Sequence, residues 1–150
     1  DPYFKRNIEK ALENDLLVGI YFYSYADSMK EAKKQAEWVV EQIKDYKITL
    51  PVAFDFECYS SFNNMNLSLY QLNEVAENYF KVLEDNGYET VLYGSKNYLN
   101  AIWKYNKNKV WLAHYTDETD YDKDYMMWQL CQDGMIEGIN GFVDINVLYK

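Results

Sequence analysis

The sequence predicts an α/β fold in a single domain, with a parallel sheet and helices packed outside it. Three observations carry this expectation. Helical stripes alternate with β-rich runs over the first two-thirds of the chain, the pattern of strand–helix–strand units. A Ser-x-x-Glu and a Ser-x-x-Gln box stand where helices should begin. The last third is β-rich and carries little helical periodicity. A chain of 150 residues is long enough for one domain with a substantial core. No internal repeat, low-complexity tract or linker divides residues 1–150.

The elements follow in order. Asp1 can cap and Pro2 suits a first helical position, and Phe4, Ile8, Ala11 and Leu12 then form one stripe. A strand is expected from Leu17 to about Tyr25. Ser28 with Glu31 opens a helix that carries Ala32, Ala36, Val39, Val40 and Ile43 on one side. The next strand runs from Val52 to about Glu57. A polar, aromatic loop fills Cys58 to Asn66. Ser68 and Gln71 start a helix with a stripe of Leu72, Val75, Ala76, Tyr79, Phe80 and Leu83, and Gly87 stands where a left-handed cap would end it. A strand over Thr90–Gly94 and a short helix over Lys96–Trp103 follow. Strands over Lys109–Tyr115, Tyr125–Leu130 and Phe142–Leu148 complete the chain. Six strands cannot close an eight-stranded barrel, and a start on a helix leads us to expect one or two further strands upstream.

Composition narrows the function classes. Hydrophobic residues make up 49% and charged residues 26%, a globular balance. A net charge of −9 lacks the basic footprint of a nucleic-acid binder and disfavours anionic membrane surfaces. No apolar run approaches the roughly 20 residues of a membrane span, and the first residues show no signal pattern. Cys58 and Cys131 are too few and too far apart for a disulfide framework or a metal site, and both are expected to be free and buried. His114 is the single histidine, so Ser-His-Asp and His-metal arrangements are excluded and His114 reads as structural. No metal or cofactor is expected.

The chemistry lies in Val52-Ala53-Phe54-Asp55-Phe56-Glu57. Strand side chains alternate, so Asp55 and Glu57 share a face. Two acids at the end of a buried strand are costly unless they are paired or shift their pKa. Glycoside hydrolysis is a chemistry that uses such a pair. The alternative is a strand-end carboxylate paired with Lys or Arg. Aromatic residues make up 18%, with 16 Tyr and 4 Trp, which suits sugar-ring contacts, although packing explains most of the tyrosines.

Four ordered segments resemble glycoside hydrolase family 25, the N-acetylmuramidase lysozymes of bacteria and phages. They are Gly19-Ile20-Tyr21-Phe22-Tyr23-Ser24-Tyr25-Ala26, then Pro51 to Glu57 with its Asp-x-Glu, then Trp111-Leu112-Ala113-His114-Tyr115, then Trp128-Gln129 with Gly138 and Val143-Asp144-Ile145-Asn146. The resemblance implies an incomplete TIM-like flattened (β/α)5β3 barrel that lacks its first one or two strands, on the order of 50 residues of a full barrel. The family's first strand carries a further site aspartate that has no counterpart here. An open barrel edge is a template for association, so a dimer or swapped assembly is an expected consequence.

The resemblance further implies hydrolysis of the β-1,4 bond between N-acetylmuramic acid and N-acetylglucosamine, with peptidoglycan glycan strands as partner and an extracellular or cell-wall location. It makes Glu57 the general acid, Asp55 its neighbouring carboxylate and Asp144 a third acid. Glu57 is expected to be protonated near neutral pH, with Asp55 ionised beside it. Asp144 is expected to point inward, with Asn146 opposite. The substrate's 2-acetamido group is a candidate nucleophile, with Asp55 or Asp144 orienting it. Candidate substrate-binding residues are Tyr21, Tyr23, Tyr93, Trp111, Tyr115, Trp128 and Gln129. Alternation puts Trp128 and Gln129 on opposite faces. Two other functions compete: a chitinase-like acetamido-sugar hydrolase, of whose longer acidic strand only the last two acids are present, and a non-catalytic glycan-binding barrel remnant.

Overall fold

The computed structural model describes residues 1–57, 67–104 and 109–149. It contains a mixed α/β chain in two compact units, residues 1–90 and 91–150. The expected loop 58–66, with Cys58, lies outside the described residues.

The first unit opens with α1 (Phe4–Glu13). The helix starts later than Asp1–Pro2 suggests. The Asp1 carboxylate accepts from the Tyr3 amide at 2.8 Å and so shapes a turn ahead of the helix, while Tyr3 takes the cap position without a side-chain bond. Ile8 is the buried residue of its stripe. β1 (Ile20–Tyr23) is shorter than expected, although the flanking backbone still bonds: the Thr49 and Leu50 amides both donate to the Val18 carbonyl at 2.9 Å. α2 (Met29–Ile43) begins at Ser28, whose hydroxyl accepts from the Glu31 amide, and buries Ala32, Ala36, Val39 and Ile43.

β2 (Val52–Asp55) pairs parallel to β1, with Phe22 opposite Phe54 and Tyr23 opposite Asp55. It ends two residues before Glu57. α3 (Leu69–Asp85) carries both arms of the Ser68–Gln71 capping box. Gly87 then turns the chain at φ 85°, a left-handed conformation that glycine adopts without penalty.

The core of this unit is aromatic. The Phe54 ring lies 5.0 Å from Tyr79 and 5.9 Å from Phe80 of α3, and the Phe22 ring lies 5.8 Å from Trp38 of α2. The helices therefore cover the Phe22–Phe54 face of the strand pair. Burial of side chains this large contributes about 1.5–3 kcal/mol each.

β3 (Thr90–Ser95) leads into the second unit, followed by α4 (Lys96–Ala101), β4 (Lys109–Ala113), β5 (Met127–Gly134) and β6 (Val143–Leu148). The strand order β3–β4–β5 is parallel, with Tyr93 opposite Trp111 and Ala113 opposite Gln129. β6 departs from the all-parallel expectation and returns antiparallel to β5, with Gln129 opposite Asn146. A short connection, 135–142, makes this reversal feasible, because antiparallel neighbours need no crossover helix. Gly134 suits this turnback: a Cβ at that position would run into the Ile145 side chain. Among the described residues no helix is long and apolar enough to cross a membrane.

Candidate functional site

In the first unit the functional groups gather on the face of β1 and β2 that the helices leave open. Parallel register places Tyr21 beside Ala53 and Tyr23 beside Asp55, with each pair on one face. The end of β2 is pinned from its neighbour: the Ser24 amide donates to the Asp55 carbonyl at 2.7 Å, and the Ser24 hydroxyl donates to Gln35 of α2 at 2.7 Å. Phe56, fully buried, stacks on Phe54 and anchors the chain just past the strand.

The two acids differ sharply in setting. Asp55 is 7% exposed, and its Oδ1 has no hydrogen-bond partner among the described residues. Burial, and secondarily the charge of Glu57, raise its pKa to about 7 from an ordinary 3.8. Glu57 is exposed. The expectation of an Asp55 that is simply ionised is not met: burial holds its carboxyl well above the ordinary carboxylate range. Position in an Asp-x-Glu motif does not reveal depth, and depth raises a carboxyl's pKa. No Lys or Arg ion pair to Asp55 occurs among the described residues. Tyr21 is 65% exposed on this face, and Tyr23, half-buried, holds its ring 5.0 Å from that of Tyr25.

The second unit carries a network on one face of four strands. The Tyr93 hydroxyl donates to Gln129 Oε1 at 2.6 Å. The Tyr93 and Trp111 rings meet edge to face at 5.1 Å. The Trp111 indole N–H donates to Asn146 Oδ1 at 2.8 Å. Gln129 is buried, whereas Asn146 is exposed. Asp144 is also exposed and lies two residues from Asn146 on β6, so the two share a face. The expectation that Asn146 stands opposite Asp144 is corrected by this two-residue step. Asn146 was not among the anticipated site residues, and correct use of the strand period would have found it.

Trp128 lies on the other face of β5 from Gln129, where its indole N–H donates to the His114 carbonyl at 2.8 Å. It is not brought together with the Trp111 network. Tyr115, 49% exposed, follows the end of β4. His114 Nδ1 is bonded to the Thr119 hydroxyl at 2.8 Å, in keeping with a structural role. Cys131 is free and half-buried, less enclosed than expected. No cluster of three or more His, Cys, Asp or Glu side chains able to hold a metal occurs among the described residues.

Comparison with known proteins adds two findings. The family model for glycosyl hydrolases family 25 matches residues 1–139. A protein of Escherichia coli K12, uncharacterized protein YegX, is 31% identical over 153 residues, an alignment that takes in 98% of this chain and 53% of that protein. The chain thus spans about half the length of the curated relatives it matches.

Among solved structures, the modular autolysin LytC of Streptococcus pneumoniae, in complex with a synthetic peptidoglycan ligand, superposes with a TM-score of 0.83 at 22% identity over 98% of this chain and 37% of its own. A family 25 glycosyl hydrolase from Bacillus anthracis gives 0.82 at 23% identity over 100% of this chain and 72% of its own. A bacterial lysozyme from Streptomyces coelicolor gives 0.77 at 19% identity over 100% of this chain and 75% of its own. At these identities the likeness is one of fold.

Proposed function

The chain belongs to glycosyl hydrolases family 25, and on that premise we propose that it hydrolyses the β-1,4 bond between N-acetylmuramic acid and N-acetylglucosamine in bacterial peptidoglycan. One observation carries the reading: a buried Asp55 carboxyl whose pKa is raised to about 7, in part by the charge of the exposed Glu57 near it. The pneumococcal autolysin that shares the fold was captured with a peptidoglycan ligand, which supports glycan strands as the partner. The site of action is then the cell wall, and the structural frame of the reaction is the flattened (β/α)5β3 barrel of the family.

Burial keeps part of the Asp55 carboxyl protonated near neutral pH. Glu57, the exposed member, takes that proton from Asp55 and hands it to the leaving glycosidic oxygen. It afterwards takes a proton from the attacking water, as microscopic reversibility requires. Asp55 keeps the proton available at the pH where an isolated carboxylic acid would have lost it. The 2-acetamido oxygen of the muramic acid attacks the anomeric carbon as the C–O bond breaks, with Asp55 orienting the amide. A retained anomer in the product agrees with this route, and an inverted one rules it out. Tyr21, Tyr23, Tyr93, Trp111, Tyr115 and Gln129 are the proposed substrate contacts.

The test is mass spectrometry of purified peptidoglycan treated with the chain and with its Glu57→Gln variant. New reducing N-acetylmuramic acid ends that vanish with the variant are the expected result. Release of no such ends by the unaltered chain overturns the reading.

A further inference from the structure

The second unit contains a carboxamide whose orientation is fixed from one side and whose donor is left for a ligand. The Trp111 indole is a donor only, so the atom of Asn146 that it meets at 2.8 Å must be the carbonyl oxygen. The amide group of Asn146 therefore points away from Trp111, and its Nδ2 has no bonding partner among the described residues. Trp111 is itself held, edge-on to Tyr93 at 5.1 Å, while Tyr93 is tied to Gln129 at 2.6 Å. Gln129 is the cross-strand neighbour of Asn146. A chain of contacts across four strands thus ends in one exposed N–H2 donor of fixed direction. On the same face of β6, two residues away, stands the exposed Asp144 carboxylate, an acceptor.

A donor and an acceptor two residues apart on one strand face, next to the Trp111 indole, suit the two opposite ends of a secondary amide lying between them. We propose that Asn146 is a specificity-determining residue that reads the acetamido group of an N-acetylated sugar. Its Nδ2 donates to the acetamido carbonyl, Asp144 accepts from the acetamido N–H, and Trp111 covers the apolar side. A hydroxyl in place of the acetamido group is too short to engage Asn146 and Asp144 together, so the analogue forgoes the paired hydrogen bonds. This inference rests on the glycan-cleaving reading above and names the group on the glycan that the second unit recognises.

The experiment compares binding of two neutral probes, the tetramer of N-acetylglucosamine and the tetramer of glucose, by titration calorimetry with the whole chain. It uses the unaltered chain, Asn146→Asp and Asn146→Ala. Asn146→Asp keeps an oxygen for the Trp111 indole and removes only the outward donor. Trp emission reports separately whether Trp111 has moved.

The unaltered chain is expected to prefer the N-acetylated tetramer by tenfold or more. Asn146→Asp is expected to lose most of that preference with unchanged emission, and Asn146→Ala to lose the preference and shift the emission. Preference retained in Asn146→Asp overturns the role of Asn146 and leaves the glycan reading standing. Failure of the unaltered chain to bind either tetramer overturns both.

Discussion

The two units handle polar groups in opposite ways. At the end of β2, Asp55 is buried with one oxygen unbonded among the described residues, and burial, with the charge of Glu57, raises its pKa to about 7. On the β3–β6 face, Tyr93, Gln129, Trp111 and Asn146 are joined by short hydrogen bonds of 2.6 and 2.8 Å. A buried polar group without a partner costs about 1–3 kcal/mol, and a chain of hydrogen bonds rigidifies its surroundings instead. The difference teaches that the first unit stores reactivity as an unmet demand for hydrogen bonding, whereas the second spends its hydrogen bonds on holding a shape. On the function proposed above, strain of the first kind marks the place where protons move, and order of the second kind the place where a ligand is read.

The comparison breaks most visibly at Glu57. Glu57→Gln is expected to lower peptidoglycan cleavage by about 10²–10⁴-fold, the usual worth of a positioned general acid. It should leave the melting curve in place because the side chain is exposed. Reducing-end release and thermal unfolding measured on one preparation check both halves.

Asp55→Asn sharpens the contrast through pH. In the folded chain Asp55 keeps its proton up to about pH 7, whereas the unfolded chain releases it near 3.8. Unfolding therefore releases a proton between those values, and the stability of the unaltered chain falls as pH rises across that window and stays low above it. Asparagine removes this loss. The variant is expected to gain about 1–3 kcal/mol over the parent at pH 8 and much less at pH 4, while losing activity. Urea midpoints at the two pH values report the gain, and a gain of equal size at both would contradict the account.

In the second unit the prediction has the opposite sign. Tyr93→Phe leaves the buried Gln129 oxygen without its donor and should cost about 1–2 kcal/mol of stability at every pH, read from the same urea curves. The smallest effect is expected far from either site. Ser68→Ala removes the capping box of α3 and should cost about 1 kcal/mol, with no change in cleavage.

Much of this frame was legible in the residues. The Ser68–Gln71 box and the Leu72–Leu83 stripe located α3 because capping and periodicity are local signals. The alternation of Phe54 and Asp55 told which side chains faced the helices. Local signals failed where depth or partners decide. β1 and β2 stop short of their apolar runs because strand ends are set by neighbours rather than by composition. The raised pKa of Asp55 could not be foreseen because burial, invisible in the motif, is its main cause. The antiparallel return of β6 and the lock between Trp111 and Asn146 depend on residues 35 positions apart, which no window along the chain spans.

The most direct measurement is an NMR titration of the Asp55 side-chain carboxyl carbon, in the unaltered chain and in Glu57→Gln. The account predicts a midpoint near pH 7 that falls, without returning to 3.8, when the Glu57 charge is removed, since burial is the larger cause. A midpoint near 4 in the unaltered chain would contradict the claim that β2 holds a proton ready at neutral pH.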